Sequence, residues 1–264
     1  MWSPDGSQIL AITHDGKKII SAKTLNPKIL NTTKNLTDQT IRLTNIFDQY
    51  QDQLIKINQN HLSQFPDFIV QIASTSANNV YFSPDGEKMF YTLTTDVKLP
   101  ENLTAKNLTT INPTIESRDL QKAKTYLFDR NEGTNYLLTS ATYDEKSALP
   151  LLLTKCSMSN VQCQMSNMPS KIDPLLTQFY LLKGQLSPLA TQNLSWFPDS
   201  NHLIIRSDTG VNIMDYDGQN NVAITSGSLK DKFAAASPDG NRLIILSNLN
   251  QKPTIFNLIS LDLK

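Results

Sequence analysis

Three observations in this 264-residue chain predict a mainly β fold built from repeated antiparallel sheets. A proline–aspartate turn recurs four times, as MWSPDG at 1–6, YFSPDG at 81–86, WFPDS at 196–200 and AASPDG at 235–240. An apolar run follows each turn at one fixed offset, starting at Ile9, Met89, Leu203 and Leu243. Small, aromatic or aliphatic residues precede the turns at Val80–Phe82, Leu194–Phe197 and Phe233–Ala236. The repeating unit is therefore strand, turn, strand.

The turn residues have separate physical duties. Pro4, Pro84, Pro198 and Pro238 preset φ near −65° at the second turn position. Asp5, Asp85, Asp199 and Asp239 accept hydrogen bonds from nearby backbone N–H groups. Gly6, Gly86 and Gly240 take the positive φ that closes a hairpin. The third copy has Ser200 in place of glycine, at a cost on the order of 1 kcal/mol if φ stays positive.

Further strands follow. SDTG turns into VNIMDYDGQNNVAIT, two strands around Asp217-Gly218, and TYLFDRNEGTNYLLT at 125–139 forms a similar pair. TIFNLISLDL supplies a third strand to the last unit. Asp199 and Asp239 lie 40 residues apart. Four short strands at that period predict a β-propeller of four-stranded antiparallel blades.

The turns and strand offsets resemble the PD40, or WD40-like, repeats of TolB-type β-propellers. The stretch FPDFIVQIASTSANNVYFSPDGEKMFYT also looks like the propeller region of bacterial PEGA-domain envelope proteins. The resemblance implies a non-enzymatic interaction module in the cell envelope, tethered by a segment outside this chain. Its partner would be a protein or a cell-wall polymer. The alternative it implies is the regulatory propeller of a serine peptidase, of the dipeptidyl-peptidase or prolyl-oligopeptidase type, without its catalytic domain.

The repeat is irregular, because the other aspartate spacings are 80 and 114. One domain over 1–264 is expected, with a mobile loop insertion at 95–122 that is rich in Thr, Asn and Pro. One or two short inserted helices are expected. SQFPDFIVQIAS carries apolar residues at helical spacing, and DPLLTQFYLLKG has a capping Asp173 and a closing Gly184. Both chain ends fall inside a blade. Either the chain is a fragment, or its C-terminal strands pair beside Ile9–Ile12 to close a ring.

Composition excludes some classes. Lys+Arg and Asp+Glu are both 24, with no basic stripe, which argues against nucleic acid. No apolar run is long enough to span a membrane. Cys156 and Cys163 are read either as two buried thiols or as a local disulfide. The histidines His14, His61 and His202 are scattered, and the turn aspartates are already committed, so no metal site is expected. No phosphate loop or nucleophile elbow is present, and the strands before the turns carry no useful ionisable group, so neither cofactor nor catalysis is expected.

Overall fold

A computed structural model of the chain describes residues 3–5, 7–15, 18–25, 37, 38, 40–100, 112–141, 151, 153, 175, 176, 178, 179, 182, 193–248 and 256–263. The chain divides into two compact units. The first holds residues 1–64 with 146–187, and the second holds 65–145 with 188–264.

In the first unit, β1 (Ile9–His14) pairs antiparallel with β2 (Ile19–Leu25), which pairs with β3 (Thr37–Asp38). A 3-10 turn at Thr40–Arg42 leads into α1 (Leu43–Leu62). Leu43, Phe47, Tyr50 and Leu54 are spaced 4, 3 and 4 residues apart, which puts them on one helical face, and all are buried. They share a core with Leu10 and Ala22 of the sheet and with Leu176, Phe179 and Leu182. Phe47 stacks on Phe179 with ring centres 6.3 Å apart.

The second unit opens with α2 (Asp67–Gln71), continued by a π turn at Ile72–Ser76. Next come β4 (Ala77–Phe82) and β5 (Lys88–Leu93), then the short pair β6 (Val97–Lys98) and β7 (Asp119–Leu120). β8 (Thr125–Asp129) and β9 (Thr134–Leu137) complete a four-stranded sheet in the order β4-β5-β8-β9. A second four-stranded sheet runs β10 (Leu194–Trp196), β11 (His202–Ser207), β12 (Gly210–Asp215) and β13 (Val222–Ser226). The last sheet has three strands, β14 (Leu229–Ala236), β15 (Arg242–Ser247) and β16 (Asn257–Asp262).

These sheets pack face to face. Tyr81, Phe90, Leu127 and Tyr136 of the first meet Leu194, Leu203, Ile205 and Met214 of the second. The other face of the second sheet, with Ile204 and Val211, meets Ala234, Leu243 and Ile245 of the third. Burial of each of the larger apolar side chains contributes about 1.5–3 kcal/mol. Phe65 lies 5.8 Å from the Phe82 ring and 6.0 Å from Phe128, which faces away from the shared core. β5 and β8 are buried along their whole length, including the polar Lys88, Thr92, Thr125 and Asp129.

The propeller expectation is corrected here. Among the described residues the five sheets are separate, and none curls or closes into a blade ring. Among the described residues β1 pairs with β2 and β16 with β15. The reason is the range of the signal: a proline–aspartate corner dictates one hairpin and says nothing about how successive sheets associate. The helix content differs too. Sequence alone predicts short inserted helices, yet α1 is 20 residues long. Its many Gln and Asn residues dilute an apolar pattern that is still present in its spacing. The ends of the 95–122 stretch pair as β6 and β7, and residues 101–111 lie outside the described residues.

Candidate binding surface

The recurrent turns form one hydrogen-bonded device. In the second copy, Ser83 donates its N–H to the Lys88 carbonyl and its hydroxyl to Asp85 Oδ1. The N–H of Glu87 also donates to Asp85 Oδ1 at 3.0 Å, and the N–H of Lys88 donates to Ser83 Oγ at 2.9 Å. The first and fourth copies repeat this with Ser3 and Asp5, and with Ser237 and Asp239. Hydrogen bonds from Ser3 and Ser7 hold the Asp5 carboxyl down at about 2, and those from Ser237 and Asn241 do the same for Asp239. At Asp85 burial pushes the pKa upward, but the bonds from Ser83 and Glu87 outweigh it and leave it lowered. Pro84, Pro198 and Pro238 occupy these turns, with Gly86 at φ 74° and Gly240 at φ 70°.

The third copy is built differently. Phe197 replaces the serine, and the His202 ring takes over by placing Nδ1 against Asp199 Oδ2. His202 Nε2 lies 3.4 Å from Asp215 Oδ1, so the ring sits between two carboxylates.

A group of ionisable side chains lies where the β4-β5-β8-β9 sheet meets the β10–β13 sheet. Glu132 accepts the phenol of Tyr136 on one carboxylate oxygen and that of Tyr216 on the other. Burial, and then the bond to Glu132, raise both phenols above the ordinary tyrosine value. Lys88 Nζ lies 3.7 Å from Asp129 Oδ2 with both side chains buried, and 4.9 Å from the Tyr216 ring centre. Burial raises the Asp129 carboxyl. These groups hydrogen-bond and pair with one another, which suits a clamp between sheets more than a reaction centre.

The end sheet is different in kind. Ala234, Leu243 and Ile245 face the neighbouring sheet, joined by the half-buried Ile259 and Leu261. The opposite face carries Ala235, Ile244, Leu246 and Leu258, since Ala235 pairs with Ile244 and Leu246 with Leu258. Leu258 is 67% exposed. Arg242 Nε and Asp262 Oδ1 close the rim at 3.2 Å.

The edge of this sheet is also regular. The Leu263 N–H donates to the Asn241 carbonyl at 2.9 Å, so odd-numbered residues of β16 bond to β15. The N–H and C=O groups of Leu258, Ser260 and Asp262 therefore point away from the sheet, where no described strand pairs with them. Some other edges of this unit are interrupted or covered. Pairing slips within β13 and within β14, and the Ser117 N–H donates to Asn135 on β9. β16 pairs through six consecutive positions without a shift.

Sequence reasoning singled out the turn prolines, aspartates and glycines. It missed the serine hydroxyls of Ser3, Ser83 and Ser237, whose fixed place two residues before each aspartate is the available signal. It also missed the surface of β16, since an edge that no described strand pairs with has no local signature. Gly6, Cys156 and Cys163 lie outside the described residues. Among the described residues no group of three or more His, Cys, Asp or Glu side chains is placed to hold a metal ion. No described helix is long and apolar enough to cross a membrane. With separate, unclosed sheets, neither a propeller-type interaction module nor the regulatory propeller of a peptidase has a structural basis. Compared with known protein families and with curated proteins, the chain matches none, so the PD40, TolB and PEGA resemblance gains no support.

Proposed function

We propose that this protein is a non-catalytic binding protein that docks another protein on the outward face and edge of the sheet β14-β15-β16. The observation that carries this reading is Leu258, 67% exposed beside Leu246 on the outward sheet face. Exposed apolar surface of this kind, rimmed by the Arg242–Asp262 pair, is the chemistry of a protein contact. The mutual engagement of Lys88, Asp129, Glu132, Tyr136 and Tyr216 supports the non-catalytic half of the reading.

The test is site-specific photocrosslinking in the host cell. A photoreactive amino acid at position 258 is compared with one at Asp208, also exposed but off the apolar face. A discrete protein adduct from position 258 and none from position 208 is expected. Equal labelling at both positions, or none at 258, overturns the proposal.

A further inference from the structure

We infer that His202 is a pH-sensitive latch: its charged ring ties the Asp199 corner to the Asp215–Gly218 turn, and loss of one ring proton releases that turn. The latch lies away from the docking surface above and stands without it.

The geometry is the first observation. His202 opens β11 directly across from Asp215 at the end of β12. Its Nδ1 is 2.5 Å from Asp199 Oδ2, and its Nε2 is 3.4 Å from Asp215 Oδ1. Among the described residues these two carboxylates are the charged groups that face the ring. The Phe197 ring meets it edge-on at 6.2 Å, and Asn220 donates to the other Asp215 oxygen at 2.6 Å. An ionised carboxylate only accepts, so both contacts require a proton on each ring nitrogen, and a neutral imidazole carries only one. The shorter contact, to Asp199, keeps that proton. The bare Nε2 lone pair then faces the Asp215 carboxylate with no hydrogen to share. Burial pushes the Asp199 carboxyl up, but the Asn201 N–H and the His202 ring outweigh it and leave it lowered. The His202 side chain is 41% exposed, so its protons exchange with solvent while the sheet stays closed.

What the latch holds is the second observation. The Asp215 N–H donates to the Gln219 carbonyl, and the Gly218 N–H to the Asp215 carbonyl, each at 3.0 Å. The turn between them carries contacts to the neighbouring sheet and its loops. The Tyr216 phenol donates to Glu132, and Asp217 accepts the Thr114 hydroxyl at 2.6 Å. Releasing Asp215 therefore loosens the link between two sheets. The other corners have Gln8, Lys88 and Arg242 at the offset of His202. Glutamine does not titrate, and lysine and arginine ordinarily titrate far above the range of histidine, so the third corner is the one built to respond near neutral pH.

Hydrogen exchange of the full chain tests this, with each rate divided by the intrinsic chemical rate at the same pH. Protection of Tyr216, Gly218 and Gln219 should fall about fivefold, the worth of roughly one hydrogen bond, between about pH 5 and about pH 8. The corner at 237–242 is the control and should not change. Asp215→Asn supplies an amide N–H to the bare Nε2, so it should keep the turn protected at the higher pH. His202→Asn keeps a donor toward Asp199 but cannot titrate, and should show no pH dependence in this turn. Nitrogen-15 spectra of the ring should show the neutral form as the Nδ1–H tautomer. Equal protection of the wild-type turn at both pH values, a pH-dependent loss that survives in both variants, or an Nε2–H tautomer overturns the latch.

Discussion

Ser200 Oγ accepts a hydrogen bond from the backbone N–H of Asp85 at 3.0 Å, joining the corner of one sheet to the corner of the next. Ser200 stands where the other copies have glycine, and it holds φ at 62°. The positive φ costs on the order of 1 kcal/mol, and this cross-sheet bond offsets it. Ser200→Ala should lose the bond and keep the strain, lowering stability by about 1 kcal/mol. Ser200→Gly should fall close to wild type, because relief of strain compensates for the lost bond. Urea midpoints of the two variants check the ordering.

The corner aspartates should make the fold acid-sensitive. Asp5 and Asp239 have folded pKa values lowered from 3.8 to about 2. A depressed carboxyl contributes stability above its unfolded pKa and loses it as pH falls through the folded value. Melting temperature should therefore decline as pH drops from about 4 toward 2. Asp239→Asn should be less stable at neutral pH and show a shallower decline.

The Lys88–Asp129 pair is buried at both ends. Lys88→Met should destabilise by about 3–5 kcal/mol, since it strands a desolvated carboxylate. The double change Lys88→Met with Asp129→Leu should recover much of that loss. Chemical denaturation of the four members of the cycle separates the pair from its desolvation.

Glu132 is the shared acceptor of two phenols. In Glu132→Gln the negative charge is gone, so Tyr136 and Tyr216 should titrate lower than in the wild type while burial keeps them raised. Ultraviolet titration of the tyrosines reads this directly. Unchanged titration would show that burial alone sets both values.

Helix α1 should be a main support of the first unit. Phe47, fully buried and stacked on Phe179, should cost about 3–5 kcal/mol when changed to alanine. Ile57 is 37% exposed, and its alanine variant should stay within about 0.5 kcal/mol of wild type. Thermal melts of the two variants test the assignment of the apolar face.

The chain sequence by itself determined the corners and the hairpins they close. Proline, aspartate and glycine act within a few residues, so Ser83–Lys88 and Ser237–Arg242 form the same hydrogen-bonded ring wherever that spelling occurs. α1 was not read from the sequence, because its polar residues mask the spacing of Leu43, Phe47, Tyr50 and Leu54. Only the tertiary structure decided how many strands each sheet holds among the described residues, that the sheets stay separate, and that β16 is the last described strand of its sheet. The physical reason is range: turn chemistry is settled between adjacent residues. Sheet association and the exposure of Leu258 and Val222 depend on which distant faces find a partner.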